Sequence, residues 1–179
     1  PSINQATVSP GTISEAGSAS IVVSFDDPAD TLDGTYELSI DWGDGASDTA
    51  SLAGAGTFPA QSHTYADNKD CGGAGVCTIS VQVCETGGTL CSSVVDRNIT
   101  VLNVAPAPSI ATTGPFVEGI YFALDGSFVD PGAANDEPYE WIWTGLDNDG
   151  AAELEGTASY ATRDADVDVA AGAMVGGYF

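Results

Sequence analysis

The stretch "DWGDG" at residues 41–45 sets two carboxylates beside a tryptophan and between two glycines. A catalytic carboxylate pair would need two such groups held across a substrate cleft at a defined separation. A tight turn explains every residue instead, because glycine reaches positive φ angles and a turn aspartate commonly accepts backbone N–H bonds. We therefore predict a structural turn between two strands. Its predicted parts are Asp41 at the strand end, Trp42 in the core, Gly43 and Gly45 at the bend, and Asp44 as a main-chain acceptor.

Short runs of alternating apolar and polar residues surround this turn, whereas the 3.6-residue repeat of a helix is almost absent. In the run at 76–84, Ile79, Val81 and Val83 are predicted to face the core while the polar residues between them face water. Turn clusters rich in Asp, Pro and Gly separate the runs, which is typical of an antiparallel β-sandwich. The sequence predicts an all-β chain with strands at 18–25, 35–42, 76–84 and 90–104.

The four cysteines allow three disulfide pairings. Cys71 and Cys77 bracket one glycine-containing turn, and Cys84 and Cys91 bracket another. Two such hairpins favour the local pairing Cys71–Cys77 and Cys84–Cys91. A zinc site is the competing interpretation, but C-x-x-C knuckles are missing and the chain has one histidine. Disulfides would place the protein in an oxidising, extracellular compartment.

The charge balance excludes two classes of partner. With 26 acidic and 3 basic residues, the net charge of −23 leaves no basic patch for nucleic acid or for an anionic membrane surface. Membrane insertion is not expected either, because no apolar run reaches about 18 residues. The same charge makes divalent cations or salt plausible requirements. No basic start with an apolar core opens the sequence, so we expect a mature segment or an excerpt of a longer protein.

An internal repeat divides the chain at the proline-containing linker "NVAPAP" (residues 103–108). "TISEAGSASIVVSFDDPAD" in the first half parallels "PFVEGIYFALDGSFVDPGAAND" in the second, and "YEWIW" stands where "LSIDW" stood. We predict one domain at 1–104 and a second at 105–179. The second has "LDNDG" in place of "DWGDG" and shows no long closing strand, so it is cut off, disordered at its end, or completed by a strand from elsewhere.

The order of motifs in the first half resembles the PKD repeat, an immunoglobulin-like β-sandwich. "DWGDG" is followed by "HTYAD" at 63–67, and "NITVLNVAP" looks like the last strand of that family. The resemblance covers residues 1 to about 106; for the second half it is partial and His-Thr-Tyr is missing. It implies two tandem PKD-type sandwiches, the second incomplete or degenerate. It also implies a non-catalytic module of surface layers, adhesins or secreted hydrolases.

His63 is the only histidine, so a Ser-His-Asp triad would have to use it. No G-x-S-x-G nucleophile elbow or comparable context accompanies it. We predict instead that His63 packs at a strand end. Tyr65 is predicted to tie a loop to the sandwich in a role like that of a tyrosine corner.

Calcium is the cofactor that the acidic loops suggest, because carboxylates are hard oxygen ligands. The alternative for each cluster is a set of solvated loop carboxylates or turn caps. A cation near the linker would stiffen the junction between the domains. The candidate ligands are Asp26, Asp27, Asp30, Asp130, Asp147 and Asp149.

Two further features point towards sugars. "NIT" at 98–100 is an N-x-[ST] sequon, which makes Asn98 a candidate glycosylation site if its side chain faces outward. Trp141 and Trp143 share one face of a predicted strand, where we expect them to be core residues; a sugar-stacking platform is the alternative.

Together these features predict a non-catalytic extracellular repeat that acts as a rigid spacer or fibre-building unit. Its expected partners are neighbouring repeats or copies of itself, and a donated strand could produce head-to-tail assembly. The competing prediction is an accessory module that binds polysaccharide or another extracellular polymer. Exposed coplanar aromatic side chains would favour that function, and buried tryptophans would favour the spacer.

Overall fold

The computed structural model describes residues 1–28, 34–72, 74–87, 90–113, 123–132, 139–146, 152–160 and 167–168. Within these ranges side chains are described up to Ser109 and at residues 129–132. The chain divides into two compact units, Pro1–Val104 and Ala105–Phe179. We refer to them as unit 1 and unit 2.

Unit 1 is a sandwich of two β-sheets, so the all-β prediction is confirmed. A short 3-10 helix, Asn68–Cys71, precedes β8. The strands are β1 (Ser2–Ser9), β2 (Thr12–Ser14), β3 (Ser18–Asp26), β4 (Thr35–Asp41), β5 (Ser47–Ala53), β6 (Gly56–Thr57), β7 (Gln61–Thr64), β8 (Val76–Glu85) and β9 (Val95–Leu102).

The pairing of these strands follows an immunoglobulin-like plan. In the first sheet β3 pairs antiparallel with β1 on one side and with β6 and β7 on the other. The second sheet has the order β2-β9-β8-β4-β5. Every pair in it is antiparallel except β2–β9, which is parallel.

One hydrophobic core fills the space between the sheets of unit 1, because alternate side chains of each inner strand point into it. On β8 the predicted core residues Ile79, Val81 and Val83 are all buried, and the polar residues between them are not. β3 and β4 show the same period of two. The largest fully buried side chains are Trp42, Tyr36, Tyr65, Phe25 and Phe58.

The predicted strand at 90–104 is shorter in the structure, since β9 begins at Val95. Before it, Cys91 makes only an isolated bridge to Cys84. The backbone N–H of Val83 donates to the hydroxyl of Ser92 at 3.0 Å. In a regular strand pair this N–H would donate to a backbone carbonyl instead. The strand therefore starts only after this irregular segment.

Five strands of unit 1 were not predicted from the sequence: β1, β2, β5, β6 and β7. β2 has only three residues. β1 and β5 lie at the edges of their sheets and are mostly exposed, so their sequences lack a buried apolar stripe. β6 and β7 are only two and four residues long. An exposed or very short strand leaves little hydrophobic periodicity to detect.

Unit 2 contains two described sheets. Its strands are β10 (Ala107–Thr113), β11 (Ala123–Val129), β12 (Tyr139–Leu146), β13 (Ala152–Tyr160) and β14 (Val167–Asp168). β11 pairs antiparallel with β10 and β14, as β3 does with β1 and β7, and β12 pairs antiparallel with β13, as β4 does with β5. Counterparts of β8 and β9 are not among the described residues, so the prediction of a missing closing strand falls outside them and stays a prediction.

Candidate functional site

The "DWGDG" residues form the turn between β4 and β5. Gly43 and Gly45 have φ angles of 81° and 93°, in the left-handed region that favours glycine. Asp41 Oδ1 accepts the N–H of Gly43 at 2.9 Å, and Asp44 Oδ1 accepts the N–H of Ala46 at 3.0 Å. Both carboxylates are thus engaged by the backbone of the turn, and they are not held across a cleft.

Three aromatic rings meet beneath this turn. Trp42 is fully buried and its indole N–H donates to Asp48 Oδ2 at 2.8 Å. The ring of His63, on β7, stacks on Trp42 with centroids 5.0 Å apart, and the ring of Tyr65 meets His63 edge-on at 4.8 Å. The Tyr65 hydroxyl donates to the carbonyl oxygen of Trp42 at 3.2 Å. Tyr65 therefore ties the segment after β7 to the turn.

Among the described residues, His63 and Asp44 form the one contact at this site that resembles catalytic machinery. His63 Nε2 lies 2.7 Å from Asp44 Oδ2. The two side chains are 17% and 9% exposed. A Ser-His-Asp mechanism would need a nucleophile hydrogen-bonded to the second ring nitrogen, and the described residues show none there. The geometry supports a packing role, in which the imidazole links the turn to β7.

Burial sets the protonation behaviour of this cluster. It raises the pKa of the Tyr65 hydroxyl far above its usual range, and the nearby Asp44 carboxylate adds to the effect. Tyr65 therefore stays neutral and keeps its role as a donor to Trp42. Partial desolvation raises the pKa of the Asp70 carboxyl although the residue is exposed, with smaller contributions from the charges of Asp67 and Asp44.

The raised pKa of Asp70 predicts a gain in stability when its charge is removed. The ionised carboxylate is less favourable in the folded chain than in the unfolded one, so its protonation stabilises the fold in acid and this contribution is lost as pH rises through the folded pKa. We expect Asp70→Asn to raise the melting temperature at pH 7, with the difference shrinking as pH falls through the folded pKa and vanishing below the unfolded pKa. Asp26→Asn removes a charge from the exposed end of β3 and serves as the control. An equal gain in both variants would show only the relief of net charge.

The two disulfides join Cys71 to Cys77 and Cys84 to Cys91, the local pairing that the sequence favoured. Only the Cys84–Cys91 disulfide closes a turn at the end of a strand, as the sequence predicts. Cys71 ends the 3-10 helix and does not lie on the leg of a hairpin. Cys77 and Cys84 both lie on β8, so each disulfide fastens a different flanking segment to that central strand.

Removing the second disulfide has a calculable cost. A bond that closes a loop this short restricts the unfolded chain by about 2 kcal/mol. We expect the double variant Cys84→Ala/Cys91→Ala to lose about that much free energy of unfolding in urea titrations. Because the loop is short, the denaturant dependence (m-value) of the variant should rise only slightly above that of the wild type. A loss near zero would show that the unfolded chain is already restricted at this turn.

The structure describes three of the six candidate calcium ligands. Asp30, Asp147 and Asp149 lie outside the described residues. Asp26 is exposed at the end of β3, and Asp27 Oδ2 accepts a hydrogen bond from the Tyr36 hydroxyl at 3.2 Å. Asp130 is buried and its Oδ1 accepts the N–H of Gly132 at 3.1 Å. The described residues contain no group of three or more His, Cys, Asp or Glu side chains placed to hold a metal ion, and calcium binding stays a prediction.

Glu15 is a structural residue that the sequence did not single out. Its carboxylate is buried, with 6% of the residue exposed. Oε2 accepts the N–H of Val104 at 2.8 Å, and Oε1 accepts the N–H of Asn68 at 3.4 Å. Glu15 therefore fastens the end of β2 to the 3-10 helix and to the chain just after β9. The signal was the repeated Glu before a glycine in both halves.

The outer face of the five-stranded sheet carries a shallow groove of about 340 Å³ between β4, β5 and β8. Most of its lining residues carry a hydroxyl, carboxylate or amide group, including Ser39, Asp41, Thr49 and Gln82, although carbon atoms make up most of the exposed lining. Such a lining can hydrogen-bond a small polar molecule, but it offers no aromatic ring for a sugar to stack on. The side chains of Trp141 and Trp143 lie outside the described residues.

Comparison with known proteins gives a structural likeness. No family model matches the chain, and no curated protein sequence matches it. Among solved structures, the chain is similar to the PKD domain of an M14-like peptidase from Thermoplasmatales archaeon SCGC AB-540-F20, with 18% identity and a TM-score of 0.43 over 55% of this chain and 94% of that one. That domain bears the name of the family that the "DWGDG" and "HTYAD" motifs resemble. Among the described residues no helix has the length and apolar character to cross a membrane.

Proposed function

We propose that this chain is a non-catalytic structural repeat of an extracellular protein and that it acts as a rigid spacer under tension. The observation that carries the proposal is the parallel pairing of β2 with β9 in unit 1. These strands lie near the two ends of the unit, where neighbouring repeats of a longer protein would pull.

Parallel pairing determines how such a pull acts on the hydrogen bonds. A force on the chain before β2 and after β9 slides the two strands along each other, so all of their hydrogen bonds resist at once. Gly11 accepts the N–H of Thr100 at 3.0 Å, and the carbonyl of Leu102 accepts the N–H of Glu15 at 3.1 Å. The bond from Val104 to Glu15 extends the same connection to the end of unit 1.

The cysteines and the charge support an extracellular location. Both disulfides are local staples, which persist in oxidising compartments and are rare in reducing ones. The net charge of −23 keeps neighbouring molecules apart unless cations screen it. A spacer needs solubility and resistance to unfolding, and it needs no cleft.

Single-molecule force spectroscopy of the full chain tests the spacer proposal. Pulled from its ends, unit 1 should unfold in one step that releases about 300 Å of chain, because the two disulfide-closed loops stay closed. In the control geometry the handles are placed at Thr35 and Ala53, which are paired neighbours on β4 and β5, so the strands separate one bond at a time. We expect a clearly higher force from the end-to-end pull. Equal forces in the two geometries would reject the mechanical role.

We further propose that copies of the chain assemble head to tail through unit 2. In unit 1 the strand β4 pairs with β5 on one side and β8 on the other, whereas its counterpart β12 pairs only with β13 among the described strands. An open sheet edge accepts a strand from another chain.

Electron microscopy in calcium buffer and after chelation tests this assembly: filaments support it, and their loss on chelation places cations at the joints. Dispersed single particles in both buffers would reject it.

A polymer-binding function gains no support from the described side chains. Trp42, Tyr36 and Tyr65 are all buried, and the exposed large apolar residues in the described part of the chain are aliphatic. Sugar-binding surfaces of the stacking kind need exposed aromatic rings. The spacer is therefore the function that the geometry supports best.

A further inference from the structure

The sequon at 98–100 occupies an accessible position in unit 1. It lies on β9, where Asn98 pairs with Thr78 of β8 and Thr100 pairs with Thr12 of β2. The side chain of Ile99 is fully buried in the core. Because side chains alternate along a strand, Asn98 and Thr100 must then project from the outer face, and Asn98 is indeed exposed.

The surroundings of Asn98 suit a bound oligosaccharide. On the same face the hydroxyl of Thr78 donates to Asn98 Oδ1 at 3.3 Å, and the hydroxyl of Ser80 donates to Asp96 Oδ1 at 2.8 Å. In this contact Asn98 uses its carbonyl oxygen, so its amide nitrogen Nδ2 can carry a modification. Hydroxyl and carboxylate groups can hydrogen-bond the first sugar residues, so the glycan would not cover an apolar surface.

We propose that Asn98 is the acceptor of an N-linked oligosaccharide. In the reaction Asn98 Nδ2 forms a bond to the anomeric carbon of a lipid-phosphate-linked oligosaccharide. The bond from that carbon to the phosphate oxygen breaks, the phosphate leaves with its lipid carrier, and Nδ2 loses one proton. An oligosaccharyltransferase would catalyse the transfer before β9 is folded into the sheet, and the outward position lets the fold form afterwards.

The modification has a consequence for assembly. A glycan at Asn98 covers the outer face of the five-stranded sheet around β8 and β9. Neighbouring copies could then not stack on this face, so contacts between repeats are left to sheet edges and to the ends of the units. This step goes beyond the spacer role and does not depend on it, because a glycan can be present whether or not the chain carries tension.

Mass spectrometry of the full chain, expressed with a secretion signal in a eukaryotic host, tests the proposal. The sequence contains a single N-x-[ST] sequon, so the expected result is one glycan mass that peptide-N-glycosidase removes while converting Asn98 to Asp. Total cellular protein is measured as well as secreted protein, because transfer occurs on entry to the secretory pathway. Retention inside the cell therefore does not prevent the measurement.

A matched pair of substitutions identifies the site. Thr100→Ala destroys the sequon and Thr100→Ser preserves it, with similar small changes to the strand. We expect the glycan mass to disappear in Thr100→Ala and in Asn98→Gln and to remain in Thr100→Ser. An unmodified wild-type chain with both disulfides formed would overturn the proposal. A mass that persists in Thr100→Ala would place the sugar on another residue and would overturn it too.

Discussion

Gly43→Ala is expected to lower the free energy of unfolding of unit 1 by about 2–5 kcal/mol, or to prevent folding altogether. Two costs add at this position. The φ angle of 81° is one that residues with a side chain rarely adopt. A Cβ atom would also lie 2.5 Å from the carbonyl oxygen and 2.9 Å from the backbone nitrogen of Thr78. Since β8 is a central strand, its backbone has little room to move away.

Gly45→Ala separates these two costs. Gly45 has a similar φ angle of 93°, but a Cβ atom there would meet nothing within 4 Å. Gly45→Ala should therefore lower the free energy of unfolding only by the conformational cost, about 1–2 kcal/mol. Urea unfolding of both variants, followed by circular dichroism, gives the comparison. Equal losses would mean that β8 shifts freely and that the close approach of Gly43 to Thr78 does not limit the fold.

The difference between the two glycines shows how far local sequence can determine this turn. The need for positive φ angles at Gly43 and Gly45 follows from the residues of the turn alone. That Gly43 also touches β8, 35 positions further along the chain, follows only from the sheet register in which Asp41 pairs with Ser80. Local chemistry predicts the turn, and long-range pairing decides which glycine matters most.

The same limit applies to the cluster around His63. The sequence predicts that His63 packs at a strand end and that Tyr65 ties a loop to the sandwich. The hydrogen bond of His63 to Asp44 and its stacking on Trp42 were not predictable, because they join residues 19 and 21 positions apart through two different sheets. Glu15 was missed for a similar reason, since its two backbone donors, Asn68 and Val104, lie far away in sequence.

Strands were predictable where burial imposes a pattern. β3, β4 and β8 are inner strands with alternate buried residues, and the sequence located all three. β1 and β5 are edge strands whose apolar side chains, such as Ile3, Val8 and Leu52, are only partly buried against the core. Nothing in residue type marks such a strand. The hydrophobic pattern thus gives the centre of the sandwich, and the edges emerge only when the sheets are assembled.

The core beneath the turn gives the second large effect: Trp42→Ala should lower the free energy of unfolding by about 3–5 kcal/mol. The indole is fully buried, stacks on His63 and donates to Asp48. Its removal leaves a cavity where strand β4 meets the turn, and it leaves His63 without its stacking partner. The hydroxyl of Tyr65 donates to the backbone carbonyl of residue 42, so this hydrogen bond can persist in the variant only if the turn keeps its position.

Trp42→Phe distinguishes loss of volume from loss of the hydrogen bond. Phenylalanine fills most of the cavity but cannot donate to Asp48, so we expect it to cost about 1–3 kcal/mol. Asp48→Ala removes the acceptor while keeping the indole and, if the hydrogen bond dominates, should match Trp42→Phe. Urea titrations of the three variants measure these differences. A loss in Trp42→Ala no larger than that in Asp48→Ala would show that the indole stabilises unit 1 through its N–H alone, and that the packing around His63 contributes nothing to the stability of the turn.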